Sequence, residues 1–128
     1  MSGKEIILNA NTFIVSETDE AGLIRYANDE FCDVSEFTLD ELIGKPHNIV
    51  RHKDMPSAAF EDLWKTIKSG NTWKGFVKNK TKSGNYYWVY STIYPLTTSD
   101  GNKGYLSCRK MASRDEIIEA EELYKSMR

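Results

Sequence analysis

The sequence predicts an α+β domain built on one five-stranded antiparallel sheet. Short helices and one longer helix are expected over one face, and an amphipathic helix at the C-terminus. Three observations predict it. Ala59, Phe60, Leu63, Trp64 and Ile67 recur at three- and four-residue spacing, the period of a helix. From Trp73 to Met111 the apolar period changes to two, in three runs separated by turn-forming stretches, which reads as an antiparallel meander. Two β-rich runs precede the helical region. Strands, then helices, then strands place the helices on one face of an antiparallel sheet.

The elements follow in order. Residues 1–11 form a lead-in with one apolar patch, Ile6-Ile7-Leu8. Thr12 to Ser16 and Leu23 to Ala27 read as a hairpin around Asp19-Glu20-Ala21-Gly22, where Gly22 can take positive φ. Asn28-Asp29 opens a short helical piece that runs through Ser35. Thr38 and Glu41 have the spacing of a capping box, and Gly44 ends that helix. A polar segment, 46–55, separates it from the longer helix, which Pro56 starts and Gly70 stops. Trp73–Lys80, Tyr86–Pro95 and Lys103–Met111 are the meander strands, with turns at Ser83-Gly84-Asn85 and Thr97–Asn102. Ser113 and Glu116 form a second capping box. Ile117, Ala120, Leu123, Tyr124 and Met127 then line one stripe of a helix. The expected organisation is a lead-in (1–11), a main domain (12–112) and a C-terminal helix (113–128).

Composition narrows the function. The chain of 128 residues is long enough for one self-sufficient core. Its net charge of −2 carries no electrostatic footprint for nucleic acid or anionic lipid. No apolar run reaches membrane-spanning length, so no direct membrane insertion of this segment is expected. The start shows no signal-peptide pattern, and Cys32 and Cys108 lack metal-ligand spacing. Reduced thiols in a cytoplasmic protein are expected. Aromatic residues are numerous (three Trp, seven Tyr, five Phe) and most lie between Trp64 and Tyr105. No nucleophile–base pair, phosphate loop or metal cluster is legible, so no enzyme is expected.

The segment Pro46-His47-Asn48-Ile49-Val50-Arg51-His52-Lys53-Asp54-Met55-Pro56 organises the rest. It holds both histidines of the chain and two of its three prolines. A stretch that polar reads as an irregular wall of directed hydrogen-bonding groups rather than a core helix. Asp19…Gly22…Ile24…Asn28…Phe31 followed by Gly44-Lys45-Pro46 resembles the PAS domain. The wall itself, with Ala59-Phe60…Leu63-Trp64, Trp73-Lys74-Gly75…Val77-Lys78-Asn79-Lys80 and Gly84-Asn85-Tyr86-Tyr87-Trp88-Val89, resembles the FAD-binding PAS domain of bacterial aerotaxis receptors. The likeness runs from about residue 12 to the end. Lys53 stands where that family usually has proline, and Asn85 where it usually has aspartate.

The resemblance implies a PAS fold whose sheet and helices enclose a noncovalently bound FAD and sense redox state. It implies cofactor contacts at Asn28, His47, Arg51, His52, Asp54, Trp64, Trp73, Asn79 and Tyr87. It also implies that the membrane anchor and signalling domain of a full receptor lie elsewhere, in a longer chain or in a partner. The residue chemistry is compatible. Trp73, Gly75, Val77 and Asn79 share one strand face, and Tyr87, Val89, Ser91 and Ile93 share one face of the next. Gly75 lets a flat ring approach the backbone, and Asn79 offers both a donor and an acceptor. Arg51 suits a phosphate or the Asp54 carboxylate. Taken alone, Trp73 and Tyr87 read better as core, a reading that Asn79 on the same face weakens; the Arg51–Asp54 pair reads also as a surface pair, His47 as a local turn cap and Asn28 as an N-cap. On the family pattern His52 is the favoured histidine, followed by His47. In the last meander strand hydrophobicity favours Leu106 and Cys108 inward. An inward Arg109 suits a negatively charged reduced flavin, and both arrangements stay open.

The opposite face carries Phe76, Trp88, Tyr90 and Tyr94. It reads either as a surface for a signalling domain or chemoreceptor-type partner, or as the seat of the tail helix or lead-in. A PAS homodimer is a further possibility. The expected function is a redox- and energy-sensing module, in aerotaxis or energy taxis. A haem-binding gas sensor using His47 or His52 and a cofactor-free interaction module are the alternatives. A blue-light sensor is disfavoured because its cysteine motif is missing.

Overall fold

The computed structural model describes residues 3–127. Strands β1 (Phe13–Asp19) and β2 (Ile24–Ala27) form the hairpin. Helices α1 (Asp29–Ser35) and α2 (Leu39–Leu42) and a 3-10 turn (His47–Val50) lead into α3 (Ser57–Lys68). Strands β3 (Trp73–Lys80), β4 (Tyr86–Thr97) and β5 (Lys103–Met111) follow, and α4 (Arg114–Met127) ends the described chain. The sheet is antiparallel, in the order β2-β1-β5-β4-β3. The last strand therefore lies in the middle, bonded on both sides, and joins the two ends of the sequence into one sheet.

Local chemistry explains the elements. The Asn28 side chain caps α1 by accepting from the Phe31 amide at 3.0 Å. Thr38 and Glu41 exchange both bonds of a capping box, and so do Ser113 and Glu116. Gly22 and Gly44 take φ of +86° and +81°, as their turns require. Strand β1 runs three residues beyond the expected Ser16. The polar Glu17, Thr18 and Asp19 show no apolar signal, but the β5 ladder pairs them with Leu106, Tyr105 and Gly104.

Ladder register assigns the faces. Ile14 pairs with Arg109, Arg109 with Ser91 and Ser91 with Gly75, so these four lie on one face. Ser16, Ser107, Ile93 and Trp73 make the next row of that face. Val89 with Val77, and Tyr87 with Asn79, complete it. This inner face looks onto α1, the 3-10 turn and α3, with Phe31, Leu42, Val50, Leu63 and Ile67 buried against it. In β5 the expected preference for Leu106 and Cys108 inward is reversed. Ser107 and Arg109 are buried there, and Leu106 and Cys108 take the other face, half-buried. Register overrules hydrophobicity, because a one-residue slip would turn every side chain of a doubly paired strand.

Helix α4 packs on the outer face. Ile117, Ala120 and Tyr124 are its buried stripe. The Tyr124 ring stacks on Trp88, with centroids 6.3 Å apart, and its hydroxyl donates to the Phe76 carbonyl at 2.5 Å. Leu123 and Met127, expected on the buried stripe, are 57% and 39% exposed. A lone helix on a flat sheet seats a narrow strip, and these two fall to its side. The lead-in joins the same region: the Ile6 amide bonds the Tyr86 carbonyl at 2.7 Å, and Glu5 pairs with Arg114 at 2.8 Å. No helix among the described residues is long and apolar enough to cross a membrane.

Tyr124 is the anchor of α4. Tyr124→Ala is expected to cost about 3 kcal/mol, the usual range for deleting a buried aromatic ring. Chemical denaturation measures the loss. Hydrogen exchange should show protection falling in α4 while β1 and β5 keep theirs.

Candidate functional site

A cavity of about 220 Å³ lies between the inner sheet face and α3. Ser91, Ile93, Ser107 and Arg109 are its floor, and Val77 and Asn79 one side. Phe60, Leu63, Trp64 and Ile67 of α3 form its roof. Pro46, His47, Asn48 and Arg51 make another wall, and Thr18, Ala21, Gly22 and Tyr105 complete the lining. Ala21, Pro46 and Asn48 are exposed, so the cavity opens to solvent at that end. The small residues Ser91, Ser107 and Ser16 keep the sheet low beneath it. At the rim Trp64 meets Tyr105 edge-on at 5.8 Å. A Cβ at Gly22 would stand 2.8 Å from the Trp64 ring, so glycine there serves both the turn and the packing.

The floor carries a buried charge. Arg109 is 3% exposed, and among the described residues it forms no ion pair with a carboxylate. Its Nη2 donates to Ser16 Oγ at 2.8 Å and its Nη1 to Ser107 Oγ at 2.8 Å. The guanidinium carbon lies 4.7 Å from the Phe31 ring centre. Nη1 also lies 3.2 Å from His47 Nε2, which Ser16 Oγ approaches at 2.9 Å. A guanidinium only donates, so Nε2 must offer its lone pair and Nδ1 must hold the ring proton. Burial, then the Arg109 charge, push the His47 pKa down from 6.5 to about 3. Burial also draws the Arg109 pKa down to about 10, leaving it charged at neutral pH. Two buried donors remain open beside this cluster: Arg109 Nε–H and the Tyr87 hydroxyl make no hydrogen bond of good geometry. Burial raises the Tyr87 pKa to about 12, against opposing pulls from Arg109 and Asn79. An uncompensated buried cation flanked by unpaired donors is costly, and the arrangement suits an occupant with acceptor or anionic character.

The residues singled out in the sequence divide into two groups. His47, Arg51, Trp64 and Asn79 line the cavity. Arg51 and Asn79 face one another in an isolated bridge that ties the polar wall to β3, and the Arg51 guanidinium lies 3.8 Å over the Phe60 ring. Tyr87 belongs to the same inner face, fully buried beside Asn79. The others lie outside the lining. Asn28 caps α1 and bonds the Val15 amide and the Phe13 carbonyl, which locks α1 to β1. Asp54 bonds the Lys78 ammonium at 2.9 Å. His52 accepts from the Asp54 amide at 3.0 Å and meets the Tyr86 ring edge-on. Trp73 shares the inner face, but its indole N–H bonds Asp62 of α3 at 2.9 Å. The ring admitted by Gly75 is Trp73's own: a Cβ at Gly75 would lie 2.5 Å from it. The wall thus contributes His47 and Arg51 to the cavity, and turns His52 and Asp54 towards Lys78 and Tyr86. Cys32 and Cys108 do not line it.

Sequence reading left Arg109 undecided and did not single out Ser16, Ser107 or Tyr105. The available signal was polar: Ser107 and Arg109 share one alternate set in a strand otherwise rich in apolar residues.

The chain belongs to the PAS family, whose fold it matches over residues 24–108. Within that family it is of the aerotaxis-receptor type. It is 47% identical over 117 residues to the aerotaxis receptor of Escherichia coli (strain K12), covering 91% of this chain and 23% of that protein. It is 26% identical over 106 residues to a nitrogen fixation regulatory protein of Klebsiella pneumoniae, covering 82% of this chain and 21% of that one. The chain thus spans less than a quarter of the length of these two relatives. Among solved structures, the light state of the blue-light photoreceptor Aureochrome1 LOV superposes with a TM-score of 0.73 at 18% identity, covering 91% of this chain and 92% of that one. A PAS domain from Colwellia psychrerythraea gives 0.64 at 19% identity, covering 80% and 88%. At that identity the likeness is one of fold.

The depressed His47 pKa makes a stability prediction. The unfolded chain takes up a proton near pH 6.5, and the folded chain holds its imidazole neutral down to about 3. His47 therefore destabilises the fold as pH falls through that window, by about 1.4 kcal/mol per pH unit, and leaves stability unaffected above it. His47→Asn should make the acid side of the stability profile shallower by about that slope. Denaturant midpoints of both proteins across the window measure the difference.

Proposed function

We propose that this domain binds FAD noncovalently in the cavity and relays its redox state to a signalling partner, as the sensor module of an aerotaxis or energy-taxis system in the cytoplasm. The single observation that carries the reading is the buried Arg109 guanidinium, unpaired with any carboxylate among the described residues, at the inner end of a partly aromatic cavity. A flavin ring has acceptor edges that gain negative charge on reduction, which is the chemistry that FAD supplies when bound. Such an edge answers the open donors of Arg109 and Tyr87. Asn79 presents an amide to the same space, and Trp64, Phe60 and Leu63 supply apolar walls. Asn48 at the solvent end and Arg51 on the same wall suit a pyrophosphate. A cavity of about 220 Å³ is small for a whole dinucleotide, so the open mouth must take part of it. Two likenesses support a flavin: the aerotaxis receptor, and a light-oxygen-voltage domain whose mechanism was probed with a flavin analogue, with a TM-score of 0.70 at 23% identity.

The chain's own groups set the redox preference. Arg109 favours negative charge in the cavity, Tyr87 and Asn79 orient the occupant, and α3 excludes water from its roof. The reading assigns no catalytic step. Output passes through the outer face, where α4 and the lead-in cover Trp88 and part of Phe76. Tyr90 and Tyr94 of the outer face are half-buried, and Leu123 and Met127 of α4 stand exposed, for a partner or a second copy.

The purified protein should be yellow and release FAD on unfolding. Asn79→Ala and Arg51→Ala should each weaken FAD binding by about 10- to 100-fold, the worth of about 1–3 kcal/mol for a lost buried polar contact. Trp73→Phe, which removes the bond to Asp62 and trims the ring over Gly75 outside the cavity lining, should retain it. Fluorescence titration of released FAD decides. Colourless protein that takes up no added FAD, or full retention in both Asn79 and Arg51 variants, sinks the reading.

A further inference from the structure

We propose that His47 is a charge-linked proton site. When the occupant of the cavity carries negative charge beside Arg109, His47 takes one proton from solvent at Nε2 and changes from acceptor to donor towards Ser16 of β1. The inference rests on the flavin reading, because a redox-active occupant is what brings the charge.

The geometry makes His47 and Arg109 alternatives as cations. Nε2 is held as an acceptor by two donors, Arg109 Nη1 at 3.2 Å and the Ser16 hydroxyl at 2.9 Å. A proton there would point at the guanidinium, charge against charge, in a site with little solvent. A negative charge at the floor cancels the guanidinium field and draws its donors away from the imidazole. The Ser16 hydroxyl can then turn, since its oxygen already accepts from Arg109 Nη2 at 2.8 Å. No co-reactant is needed, because the imidazole gains one proton and the solvent loses one. The route is short: His47 is flanked by the exposed Pro46 and Asn48, and all three line the cavity near its mouth.

The groups around His47 leave Arg109 in control. From β5 the facing charge is Arg109, and from β1 Ser16 faces it without titrating. From α1 the Phe31 ring lies 5.7 Å away. Tyr87 of β4 and Cys108 of β5 act on Arg109. Among the described residues no carboxylate is paired with Arg109 or His47. A change at Ser16 lies on a strand bonded directly to β5 and β2, so the proton alters the sheet as well as the cavity.

The chain has two histidines, so His52→Gln leaves one imidazole for nitrogen-15 NMR, and every arm is read on that background. Three arms are run: ligand-free protein with and without Arg109→Gln, ligand-free protein titrated with nitrate, and FAD-loaded protein before and after anaerobic reduction with dithionite. Expected are a neutral His47 at about pH 6 in ligand-free and oxidised protein, and a protonated one after reduction, with about one proton taken up per flavin beyond the one the reduced ring itself binds. Arg109→Gln should raise the proton affinity of His47 by roughly tenfold or more, one pKa unit. Nitrate, a planar oxyanion matched to a guanidinium, should raise it in the same sense. A His47 that stays neutral on reduction, or whose affinity is unmoved in both ligand-free arms, overturns the proposal even where FAD binds. If no flavin band appears after incubation with FAD, the functional reading fails by itself. The nitrate and Arg109→Gln arms then decide the coupling, and nitrate alone decides it if that variant does not fold.

Discussion

The buried guanidinium of Arg109 is the constraint around which the inner face is arranged. A cation removed from water costs several kcal/mol unless its surroundings answer it. Here the answer is made of hydroxyls, a neutral imidazole and an aromatic face, with no carboxylate in ion-pairing contact among the described residues. Ser16 and Ser107 must be small and polar to reach it from β1 and β5. His47 must be neutral, with its lone pair turned inward, and the 3-10 turn holds it there. Phe31 must present its ring, which fixes the seat of α1 on the sheet. A carboxylate in the same place would have neutralised the charge and left a satisfied core. Its omission keeps the charge available to whatever enters.

The cavity exists because bulk is withheld from one band of the sheet. Ser91, Ser107, Ser16 and Gly75 lie where larger side chains would fill the space beneath α3. Trp73 uses the room over Gly75 for its own indole, and its bond to Asp62 holds β3 against α3. The bridge between Arg51 and Asn79 closes the wall on the other side. The opening is thus bounded by a helix pinned at one strand and by a wall paired to the same strand, and its mouth stays between Gly22 and Asn48.

The two faces of the sheet do different work. The inner face holds charge and space. The outer face holds aromatic surface, shared between α4, the lead-in and solvent. Each ladder residue has a neighbour on the opposite face, so Arg109 stands between Cys108 and Lys110, and Asn79 between Lys78 and Lys80. A shift of bonding on the inner side therefore reaches the outer side through one peptide unit. The polar wall extends the same logic beyond the strands: His47 and Arg51 serve the cavity, and His52 and Asp54 bind at Lys78 and Tyr86.

The sequence by itself determined the elements and the sheet. Caps, turn glycines and the change of period from helical to two are local signals, and Asn28, Thr38, Glu41, Ser113 and Glu116 act where they stand. It also marked the wall and Asn79, because a polar residue in an apolar alternation has few neutral explanations. Tertiary structure alone decided which histidine enters the cavity, which way β5 faces and where the Trp73 ring lies. Those outcomes depend on register with strands distant in sequence and on the turn of one residue about a bridge. Arg109 shows the reason most plainly. Judged alone, burying Leu106 and Cys108 is favoured, but β5 is bonded on both sides, and the ladders to β1 and β4 set the face of every residue in it at once.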